Sequence, residues 1–159
     1  MANFEQEYES DHSPEEVWHA LNTPLTRELG RLVNPYVIAE YEELGTEDDI
    51  QTGTRIIYLP DNPLISSVPR AFRDLVPKDI TFRVEDHDPD NMTRLDVLES
   101  QKASGEIRHR VEEMGDGTGQ LLVEAHISLP GGMFEDTLLQ YGVDEPTQRL
   151  LEYLPRIIN

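Results

Sequence analysis

The stretch YESDHSPEEVWHAL, Tyr8 to Leu21, joins a strand to a helix through one sharply written junction. Just upstream, Glu5, Glu7 and Glu9 alternate with Phe4, Gln6 and Tyr8, the two-residue period of a strand with one face in water. The helix start follows at once. Ser13 is a good N-cap, Pro14 sits where a missing N–H is not needed, and Glu16 can reach back to close a capping box. Val17, Trp18 and Leu21 then supply a buried stripe.

Beyond this junction Asn22-Thr23-Pro24 predicts a cap and a helical restart, with Leu25, Leu29 and Leu32 at helical spacing to about Val33. Asn34-Pro35 ends the helical part. Tyr36 to Leu44 carries β-branched and aromatic residues suited to a second strand, 45–53 reads as a turn, and Thr54 to Leu59 as a third strand stopped by Pro60. Pro63, Pro69 and Pro77 break the rhythm between Asp61 and Lys78, where Val68, Phe72, Leu75 and Val76 suggest a short helix laid over the sheet. Strands are then expected over Asp79 to His87, Met92 to Ser100, Gly105 to Met114 and Gly119 to Leu129, an antiparallel meander. Its turns are legible in Asp88-Pro89-Asp90-Asn91 and Asp116-Gly117. Phe134, Leu138 and Tyr141, then Leu150, Leu151, Leu154, Ile157 and Ile158, predict a long closing helix, kinked or broken around Gly142, Asp144 and Pro146.

Composition narrows the function classes. A chain of 159 residues suits a single domain that buries about two-thirds of its unfolded surface. No apolar run of about 18 residues and no hydrophobic leader is visible, so a cytoplasmic protein is expected. The absence of cysteine excludes disulfides, thiolate metal sites and cysteine nucleophiles. A formal charge of −19 repels phosphate backbones and anionic lipid surfaces, which argues against nucleic-acid partners and peripheral membrane binding, as the missing apolar run argues against membrane insertion. The acids are dispersed and read as a solvated surface.

The order of strand, two short helices, further strands and a closing helix is an α+β plan in which an antiparallel sheet curls around the last helix. With SPEEVW at Ser13–Trp18, GTRIIYLP at Gly53–Pro60 and LPGG at Leu129–Gly132, the chain resembles the SRPBCC, START-like superfamily of helix-grip proteins, the Bet v 1-like fold. The proline-rich insertion and ISLPGGMFED at Ile127–Asp136 are similar to an uncharacterised polyketide-cyclase-like branch. This resemblance implies a seven-stranded curved sheet gripping the long C-terminal helix, with an apolar cavity between them.

Alternation along the strands sets Ile80, Phe82 and Val84 on one face, Leu95 and Val97 on another, and Leu121, Val123, Ala125 and Ile127 on a third, all expected to point inward. A solid core that uses the same residues is the alternative. His109 alternates with Ile107 and Val111 and is expected inside, where an imidazole can orient a ligand or move a proton; a structural histidine bonded to a neighbour is the other reading. Tyr41, Tyr58 and Tyr141 offer hydroxyls at the ends of apolar bodies, for a ligand or for packing. The expected ligand-binding set is therefore Tyr41, Tyr58, Phe72, Phe82, Leu95, Val97, His109, Val123, Phe134, Leu138 and Tyr141.

Asp86-His87-Asp88 with Asp90 has metal-ligand types but spans a turn, and turn chemistry explains it without a metal. Ser66-Ser67 lacks a nucleophile elbow. Arg108 and Arg110 alternate away from His109 and are expected on the outer face beside glutamates. No catalytic set, metal or cofactor is therefore assigned. The expected activity is non-catalytic binding of a small hydrophobic or lipid-like molecule, which needs a pocket of about 300 Å³ or more. A cyclase- or dehydratase-like enzyme using the same cavity and a protein-interaction module with an acidic surface are the alternatives.

Overall fold

The computed structural model describes residues 1–23, 25–35, 37–40, 46–47, 50–51, 53–58, 66, 68–75, 79–100, 103–132 and 134–158. Strand β1 (Ala2–Glu9) leads into helices α1 (Pro14–Asn22) and α2 (Arg27–Val33), followed by β2 (Val37–Glu40), the short strands β3 (Thr46–Glu47) and β4 (Ile50–Gln51), and β5 (Gly53–Tyr58). The meander β6 (Asp79–Asp88), β7 (Thr93–Glu99), β8 (Ser104–Glu113) and β9 (Gly119–Ser128) comes next. The C-terminal segment holds α3 (Glu135–Leu139), a π turn (Gln140–Asp144), α4 (Glu145–Glu152) and α5 (Leu154–Ile157). One antiparallel sheet runs in the order β1-β9-β8-β7-β6-β5-β2, while β3 and β4 form a separate two-stranded ribbon where the sequence suggested only a turn.

The opening junction forms as its residues dictate. Ser13 Oγ accepts the Glu16 N–H at 3.2 Å, and the Glu16 carboxylate reaches back to Ser13, accepting from its hydroxyl at 3.1 Å and from its backbone N–H. His12 Nδ1 adds a 3.3 Å contact to the same carboxylate. These bonds hold the Glu16 carboxyl below its usual range, through His12 first and Ser13 second. Gly119 lets the junction lie against β9: its N–H reaches the His12 carbonyl at 2.6 Å, and a Cβ there would sit 2.9 Å from Pro14 Cα. Ser13→Ala is expected to lower stability by about 1 kcal/mol. An unshifted urea midpoint would show that another group satisfies the Glu16 N–H.

Thr26, not the Asn22–Pro24 segment, caps α2, accepting from the Leu29 N–H at 3.2 Å. Asn22 and Thr23 instead close α1 by donating to the Trp18 and His19 carbonyls. The insertion carries a 3₁₀ turn, Arg70–Leu75, in place of the expected α-helical face. Val68, in the bend before this turn, is buried, whereas Phe72 within it is 40% exposed.

The core lies between the inner sheet face and the helices. Leu121, Val123, Ala125 and Ile127 of β9 are buried, as are Val17 and Ala20 of α1 and Leu138, Leu139, Val143, Leu154 and Ile157 of the C-terminal segment. Each large side chain fully removed from water contributes about 1.5–3 kcal/mol. Among the described residues no helix is long and apolar enough to cross a membrane.

The closing helix widens rather than stops. The backbone stays helical at Leu139, Gln140, Asp144 and Glu145, but across the π turn Gln140–Asp144 the register slips by one: the Gln140 N–H reaches back to Asp136, whereas the Glu145 N–H reaches back five residues to Gln140. Pro146 has no N–H to offer in either register, which accounts for the irregularity there. Tyr8 pins the turn from β1, its hydroxyl donating to Asp144 Oδ1 at 2.6 Å. Burial and then the Asp144 carboxylate push the Tyr8 phenol well above its usual range.

Candidate functional site

Register decides which side chains face the C-terminal helix. On β8 the inward residues are Ile107, His109 and Val111, and the pairing sets Ile107 opposite Asp96, His109 opposite Arg94 and Gly105 opposite Leu98. The inner face of β7 is therefore Arg94, Asp96 and Leu98, while Leu95 and Val97 lie opposite Arg108 and Glu106 on the outer face. This corrects the inward placement of Leu95 and Val97. A two-residue period fits either phase, and here the polar phase goes in.

On β6 the inward phase is Ile80, Phe82 and Val84 until the register shifts between Val84 and Asp86. The extra residue, Glu85, reverses the alternation, so that His87 rather than Asp86 lies opposite Arg94. His87 stacks on Trp18 with ring centroids 5.2 Å apart. One row across the inner face therefore reads Val123, His109, Arg94 and His87, with Asp96 in the adjacent row beside Ile107.

These side chains form a buried polar set. Arg94 Nε donates to Asp96 Oδ1 at 2.8 Å, and both side chains are 11% exposed. Arg94 also donates from one terminal nitrogen to the Leu21 carbonyl and to Asn22 Oδ1, tying the end of α1 to the sheet. Asp96 Oδ2 lies 3.9 Å from His109 Nδ1, which is buried and has no hydrogen-bond partner among the described residues. Burial pulls the His109 pKa down to about 4; the Asp96 charge opposes this shift and the Arg94 charge adds to it. His109 is accordingly a neutral imidazole at physiological pH.

Above this set the π turn leaves a cleft of about 200 Å³. Its walls include Leu21, Val33, Phe82, Leu121, Val143 and Leu150, and its remaining lining is Arg94, Asp96, Ile107, His109, Gly142, Pro146 and Thr147. Thr147 is internally satisfied, its hydroxyl donating to the Val143 carbonyl at 2.6 Å. A wider groove of about 570 Å³ between Glu7–His12 and Gln148–Pro155 is about as open to solvent as this cleft, and its rim is charged where the cleft's walls are apolar.

Of the residues expected to bind a ligand, Phe82 and His109 line the cleft. Val123 and Leu138 are packed in the core, and Phe134 rests against it, with φ 65° at the entry to α3. Tyr141 belongs to the π turn, where its carbonyl accepts from Asn34 Nδ2 at 3.5 Å, and its side chain is not part of the lining. Phe72 is exposed and apart from the cleft. Tyr58 lies on β5, its side chain outside the described features, and Tyr41 lies outside the described residues. The residues missed, Arg94, Asp96 and Gly142 above all, carried no apolar signal; only strand register and the π turn bring them together.

Asp88 caps its own turn, accepting from Asn91 at both backbone and side chain, and these bonds hold its carboxyl below the usual range. Arg108 and Arg110 lie on the outer phase of β8, with an Arg110 terminal nitrogen 2.9 Å from Glu112.

No protein-family model and no curated protein matches the sequence. Solved structures do match the fold. The chain superposes on Ara h 8.0201 with TM-score 0.66 at 12% identity, covering 98% of each chain. It superposes on the Zhui aromatase/cyclase from Streptomyces sp. R1128 with TM-score 0.66 at 12% identity, covering 99% of this chain and 96% of that one. A START superfamily protein from Mycobacterium smegmatis gives TM-score 0.58 at 14% identity, with 94% and 97% covered. The fold is the Bet v 1-like, START-type helix grip.

Proposed function

We propose that this protein is a cytoplasmic single-domain binder that holds a small, largely apolar molecule in the cleft between the inner sheet face and the π turn, without transforming it. The observation that carries this reading is an apolar-walled space left open above a buried polar floor of Arg94, Asp96 and His109. Placing charged and polar side chains inside the fold costs stability, and packing alone gives no return for it. The size supports a compact occupant. A volume of about 200 Å³ falls short of the about 300 Å³ expected for a drug-sized or lipid-like ligand, but exceeds an engineered apolar cavity of about 150 Å³ that holds benzene. Against proton-transfer catalysis, the charged lining residues Arg94 and Asp96 are engaged with each other rather than poised across the cleft.

Gly142 makes the test direct, since it contributes backbone and no side chain to the lining. Native mass spectrometry of freshly purified protein is expected to show a small-molecule adduct, identifiable after extraction. Gly142→Leu should remove the adduct while the protein stays folded. A folded Gly142→Leu variant that keeps the same adduct would overturn the assignment to this cleft.

A further inference from the structure

Two nitrogens of His109 face different surroundings, and this asymmetry selects the ligand. Nδ1 is buried toward Asp96, whose Oδ2 lies 3.9 Å away, so Nε2 is left as the ring nitrogen that an occupant of the cleft can reach. A carboxylate beside one nitrogen of a neutral imidazole favours the tautomer that carries its proton there, leaving a lone pair on the other. The reachable nitrogen is therefore an acceptor, and it asks for a donor.

Charge and volume restrict that donor further. The Arg94 charge is offset by Asp96 at 2.8 Å, so the floor presents no uncompensated cation to an anionic ligand. The −19 charge of the chain adds a repulsive field against anions. An ammonium would surrender its hydration to apolar walls beside the Arg94 guanidinium. A space of about 200 Å³ has room for little more than one substituted ring.

We infer that the cleft selects an uncharged molecule of about single-ring bulk whose hydroxyl donates to His109 Nε2, with its apolar body against Leu21, Phe82, Val143 and Leu150. This rests on the binding reading above and gives it a substrate class, a neutral phenol or alcohol.

Calorimetric titration of the full chain at pH 7.5 with phenol, toluene and benzoate separates the parts. Phenol is expected to bind about 2–10-fold more tightly than toluene, the margin of one net hydrogen bond, and benzoate at least about tenfold more weakly than phenol. In His109→Phe the phenol preference should vanish while toluene still binds. A long-range proton–nitrogen spectrum should show the Nδ1-protonated tautomer in the wild type. Equal binding of phenol and toluene by the wild type, a preference that survives His109→Phe, or tighter binding of benzoate would each overturn the inference while leaving the cleft a binding site. If neither phenol nor toluene binds, the binding reading falls as well.

Discussion

Asp96→Ala is expected to remove about 3–5 kcal/mol of stability, because it strands the Arg94 guanidinium in a site where both partners are 11% exposed. Arg94 would keep only its bonds to the Leu21 carbonyl and Asn22 Oδ1, neither of which carries a compensating charge. Against a typical total of about 5–15 kcal/mol the loss is large. The double variant Arg94→Met with Asp96→Leu removes both charges and fills similar volume, and should recover most of it, because a buried ion pair is often no better than a well-packed apolar pair. Urea denaturation of the three proteins reads both effects. A single-variant loss under about 1 kcal/mol would mean that water reaches Arg94 freely and that the floor of the cleft is wet.

The second large effect is on pH. An unfolded histidine titrates near 6.5, whereas burial holds folded His109 near 4. Between those values the unfolded chain takes up a proton that the folded protein refuses, so stability rises with pH in this window. The contribution is complete above about pH 6.5 and is lost as pH falls through about 4, amounting to about 3 kcal/mol. Carboxylates also titrate toward the acid end, so the informative quantity is a difference. The stability gap between wild type and His109→Phe, measured by denaturation at pH 7 and pH 4.5, should move in favour of the variant at the lower pH. A gap independent of pH would show that His109 is solvated or paired in the folded protein.

Local chemistry explains which parts of this molecule could be read from its sequence. Ser13, Pro14 and Glu16 act within one helical turn, and Asp116 binds Thr118 within its own hairpin at 2.6 and 3.0 Å, so their residue types alone specify the geometry. The long-range parts were less accessible. On β7 a period of two offered two phases, and hydrophobicity chose Leu95 and Val97, whereas pairing with β8 turns Arg94 and Asp96 inward. On β6 the bulge at Glu85 reverses the phase midway and brings in His87, and nothing in a single strand announces that shift. Gly142 and Pro146 signalled an irregular helix but not the π turn that widens it above His109. The polar floor is thus where local hydrophobic logic fails, as the proposed binding role would require.

The sheet order has a consequence for how the protein is made. Strand β1 pairs with β9, Ala2 with Ile127 and Tyr8 with Leu121, so β1 leaves the ribosome well over a hundred residues before its partner, the last strand of the sheet. At ordinary elongation rates that wait is on the order of ten seconds, during which Phe4 and Tyr8 are exposed on an unpaired strand. Closing so large a loop favours slow folding that is completed only after β9 is available. The glutamates at positions 5, 7 and 9 then serve the nascent chain as much as the finished one, since like charges along a waiting strand discourage it from pairing with a copy of itself.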